Sequence, residues 1–323
     1  MSRRRAGTVD PDMPQLLNKV VLISGASSGV GLSAAEEFAR AGSDVAVMAR
    51  SLPGLEEAAA SVRRQGRRSL VLQCDVSDQA AVDAAVARVE DELGALHVVV
   101  PNAAVTVFGP FKDVPKEDFD RVLEVTFLGV VNLIRASLPA LERHAGQIVA
   151  TGSLMSKLPL PTWNSYAAAK WAERGFLHTL RIELQAERSP VTVSMVHPGS
   201  IDTPVWTTTP SAIGRMPRKP PEGYHPSTIA KALVGMAREP RAEMTVGAEA
   251  KALELLWESS RPLGDLVMRM IHHYYMSGRK PMGDVNALWE AAGRGIADGN
   301  LIGRPSLTLP LRLATLPLKL VRS

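Results

Sequence analysis

Short valine-rich runs alternate with helical patterns from residue 20 to residue 197, and no other feature of the chain narrows its fold so far. The runs are Val20–Ser24, Val45–Ala49, Ser69–Gln73, His97–Val100, Gln147–Thr151 and Thr192–His197. They are short, continuous and rich in valine, as expected of strands buried on both faces of a parallel sheet. Between them the apolar spacing switches to a helical period over Gly31–Ala41, Leu55–Gln65, Ala80–Leu93, Lys116–Arg143 and Ser165–Glu187. This alternation predicts βαβ units and an α/β, doubly wound parallel sheet with helices on both faces.

After Pro198 the pattern stops. Residues 199–225 carry five prolines and read as a long loop, of a length that usually marks a functional lid, here a substrate lid, or a disordered segment. Its apolar members Ile201, Val205, Trp206, Ile213 and Met216 fit a bulky apolar substrate, or equally pack the lid onto the body. Arg215, Arg218 and Lys219 read as solvated loop charges or as partners for an anionic group. A helix at Ser227–Arg238 and a strand at Glu243–Val246 would close the sheet. The division expected is a disordered basic lead-in over residues 1–14, a main α/β domain over 15–247, and a mainly helical extension over 248–323. Within the extension, helices are expected at Ala248–Glu258 and Leu263–Tyr275, with a helical patch at Val285–Ala292.

Composition excludes several classes. No uninterrupted apolar run reaches the roughly 20 residues of a spanning helix, and Ser2–Arg5 leads into polar residues in place of a signal-peptide core. Cys74 is the only cysteine, so there is no intrachain disulfide and no multi-thiolate metal site, and a reducing cytoplasmic setting is expected. The net charge of +4 is spread along the chain and aromatics are few, which argues against a nucleic-acid partner and suits an anionic cofactor. His272 and His273 are adjacent and point to different helical faces, so no metal is expected there. The tail Leu307–Val321 is rich in apolar residues but broken by Pro310 and Pro317; it fits packing on protein or contact with a membrane surface.

Three motifs carry chemistry. The first strand runs into Ser24-Gly25-Ala26-Ser27-Ser28-Gly29-Val30-Gly31, and a helix follows at once. Glycines there let the backbone turn sharply against a pyrophosphate, and helix-start N–H groups favour its charge. The second strand ends at Arg50, where an acid would grip a ribose 2′-hydroxyl; an arginine suits a 2′-phosphate and favours NADP over NAD. Tyr166 and Lys170 stand at i, i+4 on one helical face. A free phenol has a pKa near ~10, and a neighbouring ammonium stabilises its phenolate, making it usable as an acid or base. Ser153, just past the fifth strand, is placed to hydrogen-bond a substrate oxygen.

With these residues in order, the chain resembles the short-chain dehydrogenase/reductase family over residues 18–247, with a C-terminal extension beyond it. The resemblance implies a Rossmann-type fold. It implies cofactor contacts from Gly25, Ser27, Ser28, Gly29, Val30, Gly31 and Arg50. It adds Asp75 and Val76 beside the adenine, Asn102 and Ala103 in the Pro101–Ala104 turn, Tyr166 and Lys170, and Pro198, Gly199 and Thr203 beside the nicotinamide. Ser153, Tyr166 and Lys170 match the family's catalytic serine, tyrosine and lysine. The implied activity interconverts an alcohol and a carbonyl; Arg50 adds the expectation of NADP(H), and the apolar loop residues that of a small, apolar substrate.

One departure stands out. Thr126 occupies the place of the family's asparagine, which helps hold a relay water. Asn132 lies on another helical face, and the shorter threonine binds a water less reliably. A cofactor-binding regulatory or scaffold protein with weak turnover is therefore the alternative, and a dehydratase or epimerase a poorer match. The resemblance also implies a homo-oligomer, with a dimer favoured, through Lys116–Arg143 and Ser165–Glu187.

Overall fold

The computed structural model describes residues 16–220, 223–283, 285–293 and 295–299. The lead-in 1–14 and the tail Leu307–Val321 lie outside the described residues.

In chain order the first half runs β1 (Val20–Ser24), α1 (Gly29–Arg40), β2 (Asp44–Ala49), α2 (Leu52–Arg64), β3 (Ser69–Gln73), α3 (Gln79–Leu93) and β4 (Val98–Val100). The second half runs α4 (Lys116–Leu123), α5 (Gly129–Arg143), β5 (Gln147–Thr151), α6 (Asn164–Ala186), β6 (Thr192–Pro198), α7 (Val205–Thr208), α8 (Pro226–Arg238), β7 (Glu243–Val246), α9 (Ala248–Ser259) and α10 (Arg261–Met276). The seven strands form one sheet of order β3-β2-β1-β4-β5-β6-β7, and every pairing is parallel. The expected architecture is therefore the observed one.

Two apolar layers cover the central strands on both faces. On one side Leu22, Met48, Val99 and Ile148 pack with the inner faces of α3, α5 and α6. On the other, Val21, Val47, Val100 and Val149 pack with α1, α2 and α8. Strand order reverses between β1 and β4, and in open sheets of this kind ligands bind at such a switch point, beyond the carboxyl ends of the strands.

Helix starts follow local capping chemistry. Ser51 accepts the Gly54 N–H at the start of α2, and Asp78 accepts the Ala81 N–H at the start of α3. The stretch Lys116–Arg143 is not a uniform α-helix. A π-helical turn over Glu124–Leu128 separates α4 from α5. By length and mean hydropathy (1.5) this stretch is the one among the described residues apolar enough to cross a membrane; here it flanks the sheet and packs on α3 and α6.

The helical patch expected at Val285–Ala292 is not helical. The segment makes one turn, in which Asn286 Oδ1 accepts the Leu288 N–H and Asn286 O accepts the Glu290 N–H, and then runs on as irregular chain. Its carbonyls are taken by distant side chains: Arg50 donates to Ala287 O and Leu288 O, and Ser51 Oγ donates to Gly293 O. Apolar spacing alone cannot register such long-range partners.

Candidate active site

The carboxyl ends of β1 to β6 open into one cleft of about 1460 Å³. Single-ligand sites usually measure roughly 300–1,000 Å³, so there is room for a dinucleotide and a second molecule together. Gly25, Ser27, Ser28, Gly29, Val30, Arg50, Asp75, Val76, Asn102, Ala103, Ser153, Tyr166, Lys170, Pro198, Gly199 and Thr203 all line it. Gly31 does not. A side chain there would collide with the Gly25 carbonyl and the Asn102 amide, so its role is to let α1 approach the turn.

The turn after β1 is built for close approach. Gly25 has φ +67°, and a Cβ on it would lie 2.7 Å from Ala103 Cα. Ser24 Oγ accepts the N–H groups of Asn102 and Ala103, at 3.0 and 3.1 Å. In return Asn102 Nδ2 donates to Ser24 O and Gly25 O. Asn102 thus holds the shape of the glycine turn. The first N–H groups of α1 have no carbonyl within the helix. That of Gly29 donates to Ile296 O, and those of Val30 and Gly31 follow it. A turn too tight for a side chain, ending on a helix N-terminus and backed by a basic residue, fits a pyrophosphate-bearing cofactor.

Arg50 is not the solvated surface arginine that sequence alone allows. It is partly buried and donates to Leu288 O at 3.2 Å and Ala287 O at 2.6 Å. Asp75 is paired with Arg121 and accepts from Ser77. Burial pushes its carboxyl up, but the Ser77 and Arg121 hydrogen bonds outweigh burial and hold it below the ordinary aspartate value.

Farther along the cleft, Ser153 Oγ accepts the Met155 N–H at 3.1 Å, and no group among the described residues accepts its own O–H hydrogen. Tyr166 and Lys170 follow on α6, with Lys170 Nζ 5.9 Å from the centre of the Tyr166 ring. Lys170 is 2 % exposed; its ammonium donates to Thr151 O at 2.8 Å and to Glu173 Oε2 at 2.7 Å. Burial pulls Lys170 down, but the Glu173 carboxylate and Tyr166 outweigh it and hold the ammonium above the ordinary lysine value. One of the ammonium's three N–H groups is left for a ligand.

Glu173 is fully buried, and its Oε1 has no hydrogen-bond partner among the described residues. It went unnoticed in the sequence, although a carboxylate three residues beyond Lys170 on one helix is a visible signal. Thr126, in contrast, is not placed to hold a water. It is buried in the π-helical turn, and its hydroxyl accepts the Val105 N–H and donates to Val105 O, both at 3.0 Å. Asn132 donates to Val76 O, on the face expected of it.

Behind Ser153 a charged network ties the site together. His197 is buried, with Nδ1 3.1 Å from Ser153 O and Nε2 3.2 Å from Glu243. Burial pushes Glu243 up, but the close His197 imidazole and hydrogen bonds from Arg174 and His178 hold it well below the usual carboxylate range. Lys157 bridges Glu243 and Glu254 at 3.2 and 3.0 Å, linking the loop after Ser153 to β7 and α9.

The far end of the cleft is apolar. Met155, Leu158 and Trp163 line it from one side, and Leu253, Met268 and Ile271 of α9 and α10 from the other. Of the lid residues, Ile201, Val205, Trp206 and Arg218 reach the cleft, while Ile213, Met216, Arg215 and Lys219 do not. Trp206 stacks on Tyr275 at 6.2 Å and donates to Ile201 O, which fastens the lid to α10.

Comparison with known proteins agrees with this arrangement. The short chain dehydrogenase family model matches residues 19–213. An uncharacterized oxidoreductase, YxnA, of Bacillus subtilis is 31 % identical over 88 % of this chain and 82 % of its own. The structure of an alcohol dehydrogenase from Thermococcus sibiricus complexed with 5-hydroxy-NADP superposes with a TM-score of 0.63 at 31 % identity, over 71 % of this chain and 95 % of that one. A short-chain dehydrogenase/reductase from Burkholderia phymatum in complex with NAD shares the fold, with a TM-score of 0.70 at 23 % identity over 77 % and 96 %. The chain belongs to the short-chain dehydrogenase family of oxidoreductases and carries a C-terminal extension beyond the family's domain.

Proposed function

We propose that this protein interconverts an alcohol and a carbonyl on an apolar substrate, with NADP(H) as cofactor and Tyr166 as acid and base. The observation that carries the reading is that Ser153, Tyr166 and Lys170 line the same cleft as the glycine turn. Residues from Gly25 to Val30, with Arg50, Asp75, Val76, Pro198, Gly199 and Thr203, would hold a nicotinamide dinucleotide, which when bound supplies or accepts the hydride. Arg50 supports NADP because no acid stands at the end of β2 to meet a 2′-hydroxyl.

The protein's own residues handle the proton and the oxygen. Ser153 Oγ–H donates to the substrate oxygen. Tyr166 gives its phenolic proton to that oxygen in reduction, or takes the alcohol proton in oxidation. Lys170 stabilises the phenolate, and Glu173 and Thr151 O keep the ammonium charged and in place. The apolar wall from α9, α10 and the lid excludes water and favours a hydrophobic carbonyl compound. The lone thiol, Cys74, is buried, in keeping with a cytoplasmic enzyme. Leu128, Trp171 and Ile182, exposed on the helices flanking the sheet, support a homodimer.

Tyr166→Phe is the test. Turnover of apolar aldehydes and ketones with NADPH is expected to fall about a hundred- to ten-thousand-fold, with dinucleotide binding retained. A second reading, a dinucleotide-binding regulatory protein, is favoured by one observation: the Thr126 hydroxyl is closed off by Val105. Dinucleotide binding without turnover of any carbonyl by the unaltered protein would select that reading.

A further inference from the structure

We propose that the C-terminal extension completes the cofactor site: the stretch Ala287–Gly293, with Gly295 and Ile296, forms the outer wall of its adenosine end and fixes Arg50 for a 2′-phosphate. The proposal rests on the dinucleotide reading above.

Three groups of contacts carry it. At the end of β2, Arg50 donates to Ala287 O and Leu288 O, and Ser51 Oγ donates to Gly293 O. At the glycine turn, Gly295 N donates to Ser27 O at 3.1 Å and Gly29 N donates to Ile296 O at 3.0 Å. Away from the cleft, Leu288 is fully buried, Trp289 Nε1 donates to Asp118 at 2.8 Å, and the Arg121 guanidinium lies over the Trp289 ring at 5.5 Å. The segment is therefore bonded to the very strand ends that would meet the ribose and the pyrophosphate, and is anchored on its outer side.

It acts as a wall, not a plug. Ala287, Ala291, Ala292 and Gly293 line the same cleft as Gly25, Asp75 and Tyr166, and about 1460 Å³ remains open with the segment in place. Small residues at those four positions leave room for a flat ring. A guanidinium has five N–H donors; two of Arg50's are used by carbonyls, and three remain. An arginine held in one orientation before the ligand arrives binds a phosphate with less ordering cost than a free one. A nucleotide closed in on this side also leaves slowly.

Hydrogen–deuterium exchange on the unaltered full-length protein tests this, with and without NADP+. NADP+ is expected to slow exchange of the amides from Leu288 to Ile296. Leu288→Asp, which puts a charge at the buried anchor, is expected to weaken NADPH binding and speed its dissociation by about tenfold, with a smaller loss in Trp289→Ala, whose side chain lies outside the cleft. Faster exchange of the segment on NADP+ binding would make it a competitor for the site and overturn the proposal. So would unchanged exchange, or both variants binding NADPH as the unaltered protein does. Absence of any dinucleotide binding by the unaltered protein is a separate result, which removes the underlying reading.

Discussion

Glu173 Oε2 lies 2.7 Å from Lys170 Nζ, and both side chains are sealed from solvent. An ammonium removed from water loses hydration worth several kcal/mol, and the carboxylate one turn along the helix is what keeps it charged. In this protein the lysine beside Tyr166 is therefore held by two fixed acceptors, Glu173 and Thr151 O, while the side chain at 126 contributes nothing to it directly.

Glu173→Gln should move the pH dependence of turnover. Without the carboxylate, burial is left to pull Lys170 down, so the ammonium is lost at lower pH and phenolate stabilisation goes with it. The alkaline limb of kcat/KM is expected to shift downward by about one pH unit or more. A fall in thermal stability with an unmoved pH profile would mean that Glu173 only supports packing.

Thr126→Val should lower stability without touching chemistry. The variant keeps the shape of the side chain but leaves the Val105 N–H and carbonyl without their partner, a cost of about 1–3 kcal/mol. Thermal melting is expected to drop while turnover per folded molecule stays the same. A loss of turnover at full stability would return Thr126 to the proton relay.

Much of this was legible in the sequence, and what was not has physical causes. Strands such as Val20–Ser24 and Gln147–Thr151 are short runs with no polar–apolar alternation, as a doubly covered sheet calls for. Tyr166 and Lys170 were visible because their spacing is local. The π-helical turn at Glu124–Leu128 was not, since its i to i+5 bonds leave the apolar period nearly unchanged. Val285–Ala292 read as a helix because the partner of its Ala287 and Leu288 carbonyls, Arg50, lies more than two hundred residues away in sequence.

Glu254→Gln should show how far the charged network behind Ser153 supports the fold. Burial pushes the Glu254 carboxyl up, but hydrogen bonds from Thr245, Lys157 and Lys251 bring it down to about 2 from an ordinary value of 4.5. A carboxylate depressed on folding adds stability above its unfolded pKa and loses it as pH falls through the folded one. The unaltered protein should therefore exceed the variant in melting temperature at pH 7, with the gap closing between about pH 5 and pH 2. An equal gap at both ends of that range would assign the effect to packing in place of charge.

The most direct measurement is a paired titration of the full-length protein with NADPH and NADH, read by nicotinamide fluorescence and by melting temperature. A ligand that binds only the folded state raises apparent stability by mass action. The expected result is binding of both, tighter for NADPH, with that preference lost in Arg50→Ala. Binding of neither dinucleotide would contradict the central claim that the cleft is a nicotinamide cofactor site.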